Sequence, residues 1–370
     1  MNLVIFIIIL LVLVLVHEFG HFFSAKKFGI RVDEFGFGFP PKLFSIKKGE
    51  TEYTFNLLPI GGFVKIFGEN PEVEQAHYGA GPNEDQSRSF QHKSKWKQAI
   101  VLFAGIFANF LLAWLLFSLS FMSGLPTSVG NENGYALRDI NLVIVSVTAK
   151  SPAENAGLKS GDKIISVKSG KDVISDINSN TIKSFIISHS NKEIEMGYNR
   201  GQDKNVYITH LTPISSIAGA KPAIGVSIDA IGTAKLALFP AFLEGMGLTL
   251  SITKDTVLGL YTLISEGLQG KGDLSSITGP VGMVGIVGDA YKFGFSYLLS
   301  FAALISVNLA IINFLPFPAL DGGRLFFLLI EKIKGSRINP KITNTANTIG
   351  FAILMLLMIL VTYHDVEKLL

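Results

Sequence analysis

The chain has 370 residues, 48% apolar and only 16% charged, with a formal net charge of +3. This balance is too apolar for an ordinary soluble protein and too weakly basic for a nucleic-acid binder, and no Lys/Arg stripe with interleaved aromatics occurs. The lack of cysteine excludes disulfides and thiolate metal ligands, so any metal must be held by His, Asp or Glu.

Residues 3–16 carry no polar side chain and lead directly into His17, Glu18 and His21. The segment lacks a basic start and a small-residue cleavage site, so it is expected to be a retained membrane span and not a signal peptide. His17-Glu18-Phe19-Gly20-His21 is an H-E-x-x-H motif. A spacing of four stacks both imidazoles on one helical face, where they can share one Zn²⁺. Glu18 is then placed to take a proton from a metal-acidified water and return it to the leaving amine. Five matching residues arise readily by chance. Their location argues against chance, because each ionisable group in a span costs about 2.5 to 3.5 kcal/mol on insertion scales.

Between residues 51 and 67, Thr51, Tyr53 and Phe55 alternate with polar neighbours before Pro59-Ile60-Gly61-Gly62-Phe63-Val64. Two strands around a Pro/Gly turn are predicted. An uncharged second span covers 99–122.

After Pro126 the chain becomes polar, with short β-branched runs at 143–147, 163–167 and 205–208. A short helix capped by Ser151 and ending at Gly157, a Gly161-Asp162 turn and a following strand are predicted, a pattern that resembles a bacterial PDZ domain. An unrelated small α/β domain is the alternative. The 236–265 stretch is apolar but interrupted by Pro240, Glu244, Lys254 and Asp255, which suits a helix on a membrane surface.

The third and fourth spans are expected near 295–320 and 346–362. The third closes on Asn313-Phe314-Leu315-Pro316-Phe317-Pro318-Ala319-Leu320-Asp321-Gly322. Pro316 and Pro318 forbid a regular helix, freeing backbone groups that lipid would penalise but a cavity tolerates. Lys26, Lys27, Lys47, Lys48, Lys93, Lys95 and Lys97 precede span two, and Arg324, Lys332, Lys334, Arg337 and Lys341 follow span three. Both loops are therefore expected in the cytoplasm, with both termini and the region from about 125 to 290 outside.

A catalytic zinc needs a third protein ligand. His77, His92, His189 and His210 lie in polar segments and His364 in the C-terminal tail, whereas Asp321 ends span three at the membrane face where span one ends. Asp321 is the predicted third ligand; a helix-capping carboxylate is its alternative role. Asn313 can donate its amide to a substrate carbonyl or oxyanion, or bond a neighbouring helix.

These motifs together resemble the site-2 protease family, the bacterial RseP-type intramembrane metalloproteases. His17, Glu18, His21 and the N-x-x-P-x-P-x-L-D-G run from Asn313 carry the likeness, joined by Gly36-Phe37-Gly38, 59–65 and Thr278-Gly279-Pro280-Val281-Gly282. The resemblance implies substrate positioning by Asn313, Pro316 and Pro318, and a membrane-associated hairpin at 53–65 whose Gly61, Gly62 and Phe63 clamp unwound substrate. It further implies a bacterial inner-membrane enzyme with its active site toward the cytoplasm and a PDZ domain outside that excludes bulky substrates. Its partners would be the lipid bilayer and single-span membrane proteins already cut by another protease, such as anti-sigma factors, or remnant signal peptides, with no nucleic acid and no soluble small-molecule substrate. Relatives from Gram-negative bacteria carry two PDZ domains, while this chain has room for one.

The expected architecture is thus a polytopic α-helical membrane protein with about four spans, a cytoplasmic-side β-hairpin and an extracytoplasmic α/β domain. Its segments are 1–124 with the metal motif, 125–235 as the PDZ domain, 236–290 as a surface-helical region and 291–370 with the last spans. A non-catalytic PDZ scaffold and a metal transporter are the competing readings.

Overall fold

The computed structural model describes residues 1–69, 86–130, 135–201, 203, 205–218, 221–270 and 278–369. These divide into two compact units, one of residues 1–117, 245–288 and 301–370, the other of 118–244 and 289–300. The divisions fall within helices, whereas the sequence suggested boundaries at 124, 235 and 290.

Among the described residues, four helices are long and apolar enough to cross a membrane: α1 (Asn2–Lys27), α2 (Lys95–Ser123), α7 (Phe295–Phe314) and α9 (Pro340–Leu369). α7 stops at Phe314, short of the expected 320, because proline cannot supply the amide hydrogens that continuing the helix would require. The most apolar stretch of α9 is only 6% buried within the protein. Phe351, Leu356 and Ile359 on it are each more than half exposed. So much uncovered hydrocarbon is incompatible with water and suits lipid.

In the first unit, α1 leads into two long antiparallel strands, β1 (Val32–Lys48) and β2 (Thr51–Ile66). Their connection is the Gly49-Glu50 turn, with Gly49 at a positive φ of 65° that a side chain would resist. This corrects the expected hairpin at 53–65. Phe35 lies opposite both Tyr53 and Val64, and Phe37 opposite both Phe55 and Gly62. The two runs expected to pair across Pro59-Gly62 instead flank β1, while residues 42–48 cover the far side of 51–56. Short-range alternation predicts strands; it cannot say which run pairs with which.

Ala25, Ile30, Val32, Ile66, Phe90, Val101 and Leu102 form one buried cluster at the base of this sheet. A second cluster joins Ala113 and Phe117 of α2 to Ala303, Val307 and Ile311 of α7. Leu248, Ile252 and Leu260 of α5 (Leu238–Leu268) pack against it. Pro240 does not interrupt α5, because it occupies the first turn, where its missing N–H costs little. After α6 (Pro280–Phe293), α7 and the break at 315–320, α8 (Asp321–Lys334) begins at the predicted aspartate.

In the second unit, β3 (Leu125–Ser128), β4 (Arg138–Val147), β5 (Lys163–Ser169), β6 (Asp172–Val173), β7 (Ile194–Asn199), β8 (Tyr207–Leu211) and β11 (Val226–Ala234) form one sheet. Its order is β3-β11-β4-β5-β7-β8, with β6 on β5, and β9 (Ile214–Ala218) pairs separately with β10 (Lys221–Ala223). Ile144, Val167, Ile182, Ile194 and Met196 are fully buried between this sheet and α4 (Ser179–Ser188). The helix expected at 152 is present as α3 (Pro152–Asn155), and Ser151 caps it by accepting from the Glu154 N–H. Gly157 follows with φ of 77°. Buried Asp162 is held by Arg200 and the Lys159 N–H, fixing the turn before β5.

Candidate metal centre

His17 and His21 are one helical turn apart on α1, with ring centroids 4.8 Å apart. α2 reaches both because glycine lines the contact: a Cβ on Gly20 would stand 2.4 Å from the Ala104 carbonyl oxygen. One on Gly105 would stand 2.3 Å from His21 Nε2. The His21 ring is oriented by its Nδ1–H, which donates to the Val101 carbonyl at 2.8 Å.

Asp321 arrives through the proline break. Ala319 takes a positive φ of 76°, and its N–H donates to Asn347 Oδ1. Gly322 and Gly323 are buried against the backbone oxygens of Phe314, Leu315 and Phe317, where a Cβ would come within 2.3 Å. The chain thus folds back tightly, and Asp321 starts α8, where the helix dipole favours a carboxylate.

Asp321 Oδ2 lies 3.0 Å from His17 Nε2 and 3.2 Å from His21 Nε2, and the two nitrogens are 3.2 Å apart. Ligands about 2.0 to 2.1 Å from a tetrahedral zinc stand roughly 3.3 Å from one another. The three donor atoms therefore fit one face of such a tetrahedron, and their type, two imidazoles and a carboxylate, suits Zn²⁺. They form the sole cluster of three or more metal-capable groups among the described residues.

Glu18 faces the sheet. A Cβ on Gly62 would lie 3.8 Å from the Glu18 Cγ. Gly61 has φ of 100°, and the Phe63 ring covers Gly36, where a side chain would clash. Asn313 is in the last turn of α7, and Pro316 and Pro318 lie in the break that delivers Asp321.

Three of the other histidines have separate partners. His189 bonds Asp172 and Ser188, His210 stands 3.6 Å from Glu193 and His364 3.6 Å from Glu367. His92 belongs to a short 3-10 turn, and His77 lies outside the described residues. Sequence reasoning missed Gly20, Val101, Gly105 and Asn109. A glycine followed one turn later by an amide, inside an uncharged span, was the available signal for the last two.

A histidine pair on a helix apolar enough to cross a membrane, a carboxylate brought beside it and a glutamate next to the first histidine are the groups of a membrane zinc metalloprotease. The chain belongs to peptidase family M50, the site-2 proteases, whose profile matches residues 5–357. A putative zinc metalloprotease of Clostridium perfringens is 35% identical over 355 residues, covering 96% of this chain and 95% of that protein. A putative zinc metalloprotease of Clostridium acetobutylicum is 34% identical over 367 residues, covering 99% and 97%. The zinc metalloprotease RasP of Geobacillus kaustophilus is 30% identical over 435 residues, covering 98% and 97%.

Proposed function

We propose that this protein performs regulated intramembrane proteolysis, cutting single-span membrane proteins already shortened by another protease. Anti-sigma-factor-like proteins and remnant signal peptides are the substrate classes. The carrying observation is the meeting of His17 and His21 of α1 with Asp321 at the start of α8, beside Glu18 and an extended strand.

In this reading His17, His21 and Asp321 hold Zn²⁺. When bound, it supplies Lewis acidity that brings the pKa of a water toward roughly 7. Glu18 would accept one proton from the attacking water as the water's oxygen adds to the scissile carbonyl carbon. Glu18 then passes the proton to the departing amine nitrogen as the C–N bond breaks. Asn313 donates its amide to the substrate carbonyl, and Pro316 and Pro318 keep the surrounding backbone open to the cavity. The substrate is held extended along Gly61-Gly62-Phe63, since a helical substrate would keep its carbonyls bonded to itself.

The enzyme sits in the bacterial cytoplasmic membrane with its active site toward the cytoplasm. Supporting this sidedness, the two basic loops meet: Lys95 pairs with Glu331, Arg324 with Glu69, and Arg337 donates to the Gln91 carbonyl. They must therefore share one face, and an excess of basic residues marks the inside. The second unit is read as a single extracytoplasmic PDZ domain that screens substrates, supported by its capped α3, Gly157 and Gly-Asp turn.

The test is hydrolysis of a membrane-anchored model substrate in detergent or vesicles by wild type and Glu18→Gln. Glu18→Gln should retain zinc and lose at least about a hundredfold in rate, as expected for removing a general base. Equal cleavage by both would end the proposal.

A further inference from the structure

The two histidines are oriented from α2 by different groups. For His21 the partner is a carbonyl, which only accepts, so Nδ1 carries the proton and Nε2 keeps its lone pair. For His17 the partner is Asn109, fully buried on α2, whose side-chain nitrogen Nδ2 stands 3.2 Å from His17 Nδ1. Asn109 Oδ1 is buried with no hydrogen-bond partner among the described residues. An amide buried in an apolar span is costly unless it performs a task.

Amide nitrogen and oxygen exchange places by a half-turn of the side chain, and the chemistry of the neighbour decides between them. With the nitrogen on His17 Nδ1, that atom must accept, and the proton is forced onto Nε2. With the oxygen there, Nδ1–H donates and Nε2 keeps its lone pair facing Asp321 and His21. Only the second arrangement leaves His17 able to bind a metal through Nε2.

We infer that Asn109 is a positioning residue for the zinc site: its side-chain oxygen accepts the His17 Nδ1 proton, fixing the tautomer and ring orientation that His17 needs as a ligand. This rests on the reading of His17 as a zinc ligand. Backbone placement supports the role. The Ser306 hydroxyl donates to the Asn109 carbonyl at 2.8 Å, pinning this turn of α2 to α7. The side chain thus points at His17 from a fixed base, and nothing in the arrangement requires it to touch substrate.

The experiment uses the full-length protein in detergent, comparing wild type with Asn109→Ala, Asn109→Asp and His17→Ala. Zinc affinity is read by competition with a chelating dye, and ¹⁵N NMR of histidine-labelled, zinc-loaded protein reads the His17 tautomer. Asn109→Ala is expected to lose roughly 10- to 100-fold in zinc affinity, the range for removing a partner of a metal-ligating His. Asn109→Asp, whose carboxylate can only accept, is expected to stay within a few-fold of wild type, and wild-type His17 should carry its proton on Nδ1. Wild-type affinity in Asn109→Ala, a loss in Asn109→Asp as large as in Asn109→Ala, or a His17 proton on Nε2 in zinc-loaded wild type would overturn the inference. If Asn109→Ala does not fold, the Asn109→Asp and wild-type spectra still decide. Unchanged zinc affinity in His17→Ala would instead refute the ligand assignment itself.

Discussion

Gly105 on α2 touches His21 on α1 so closely that any Cβ would lie 2.3 Å from the imidazole Nε2, an atom that also stands 3.2 Å from Asp321 Oδ2. The glycine therefore reserves the volume in which the His21 donor atom sits. Gly105→Ala is expected to push the ring off its position and lower both zinc affinity and cleavage by roughly 10- to 100-fold, as for other disturbances around a metal ligand. Zinc content and turnover measured on the same preparation check this. Unchanged zinc content would place the effect elsewhere.

Delivery of Asp321 depends on the tight return through residues 315–323. Gly322→Ala and Gly323→Ala each place a methyl within 2.3 Å of a backbone oxygen, which rigid backbone cannot yield cheaply. Each is expected to cost about 1 to 3 kcal/mol of stability, the usual range for overpacking. Zinc affinity should fall although all three ligands remain. Thermal unfolding with and without added zinc separates the two effects.

Metal removal should act on folding as well as catalysis, because the third ligand comes from a part of the chain 300 residues beyond His21. Zinc binding ties residues 17 and 21 to residue 321, and a ligand at a thousandfold excess over its Kd contributes about 4 kcal/mol. Chelation is expected to abolish cleavage and lower the thermal midpoint, and stoichiometric zinc should restore both. A midpoint insensitive to chelator would mean that the site binds little metal.

The turn of the β1-β2 sheet carries a pH-sensitive tie. Glu50 bonds Arg88 through both carboxylate oxygens and also pairs with Lys26, and these cations lower its pKa to about 2. Because the folded value lies below that of the unfolded chain, the stabilisation is fully present above roughly pH 5 and is lost as pH falls toward about 2. Its side chain is 31% exposed, so the contribution is at most about 1 kcal/mol. Hydrogen exchange at the turn should be faster in Glu50→Gln than in wild type at pH 7, and the difference should shrink on acidification. Equal exchange at pH 7 would show that the pairs contribute nothing.

Much of this protein was legible because its signals are local. Four apolar runs formed four helices long enough to cross a membrane, a spacing of four residues put two imidazoles on one face of α1, and paired prolines ended α7 before Asp321 could continue it. Ser151 and Gly157 likewise marked both ends of a short helix without any knowledge of its neighbours. What only the tertiary structure decided depends on contacts between residues far apart in the chain. It set the distance from Asp321 to the histidines, the placing of two β2 runs on opposite sides of β1, and the approach of Gly105 and Asn109 to α1. Hydrophobic patterning says that a helix or strand will bury a face. Which face of which partner it meets is settled by close packing across the whole unit, where glycines grant access and single polar atoms select orientation.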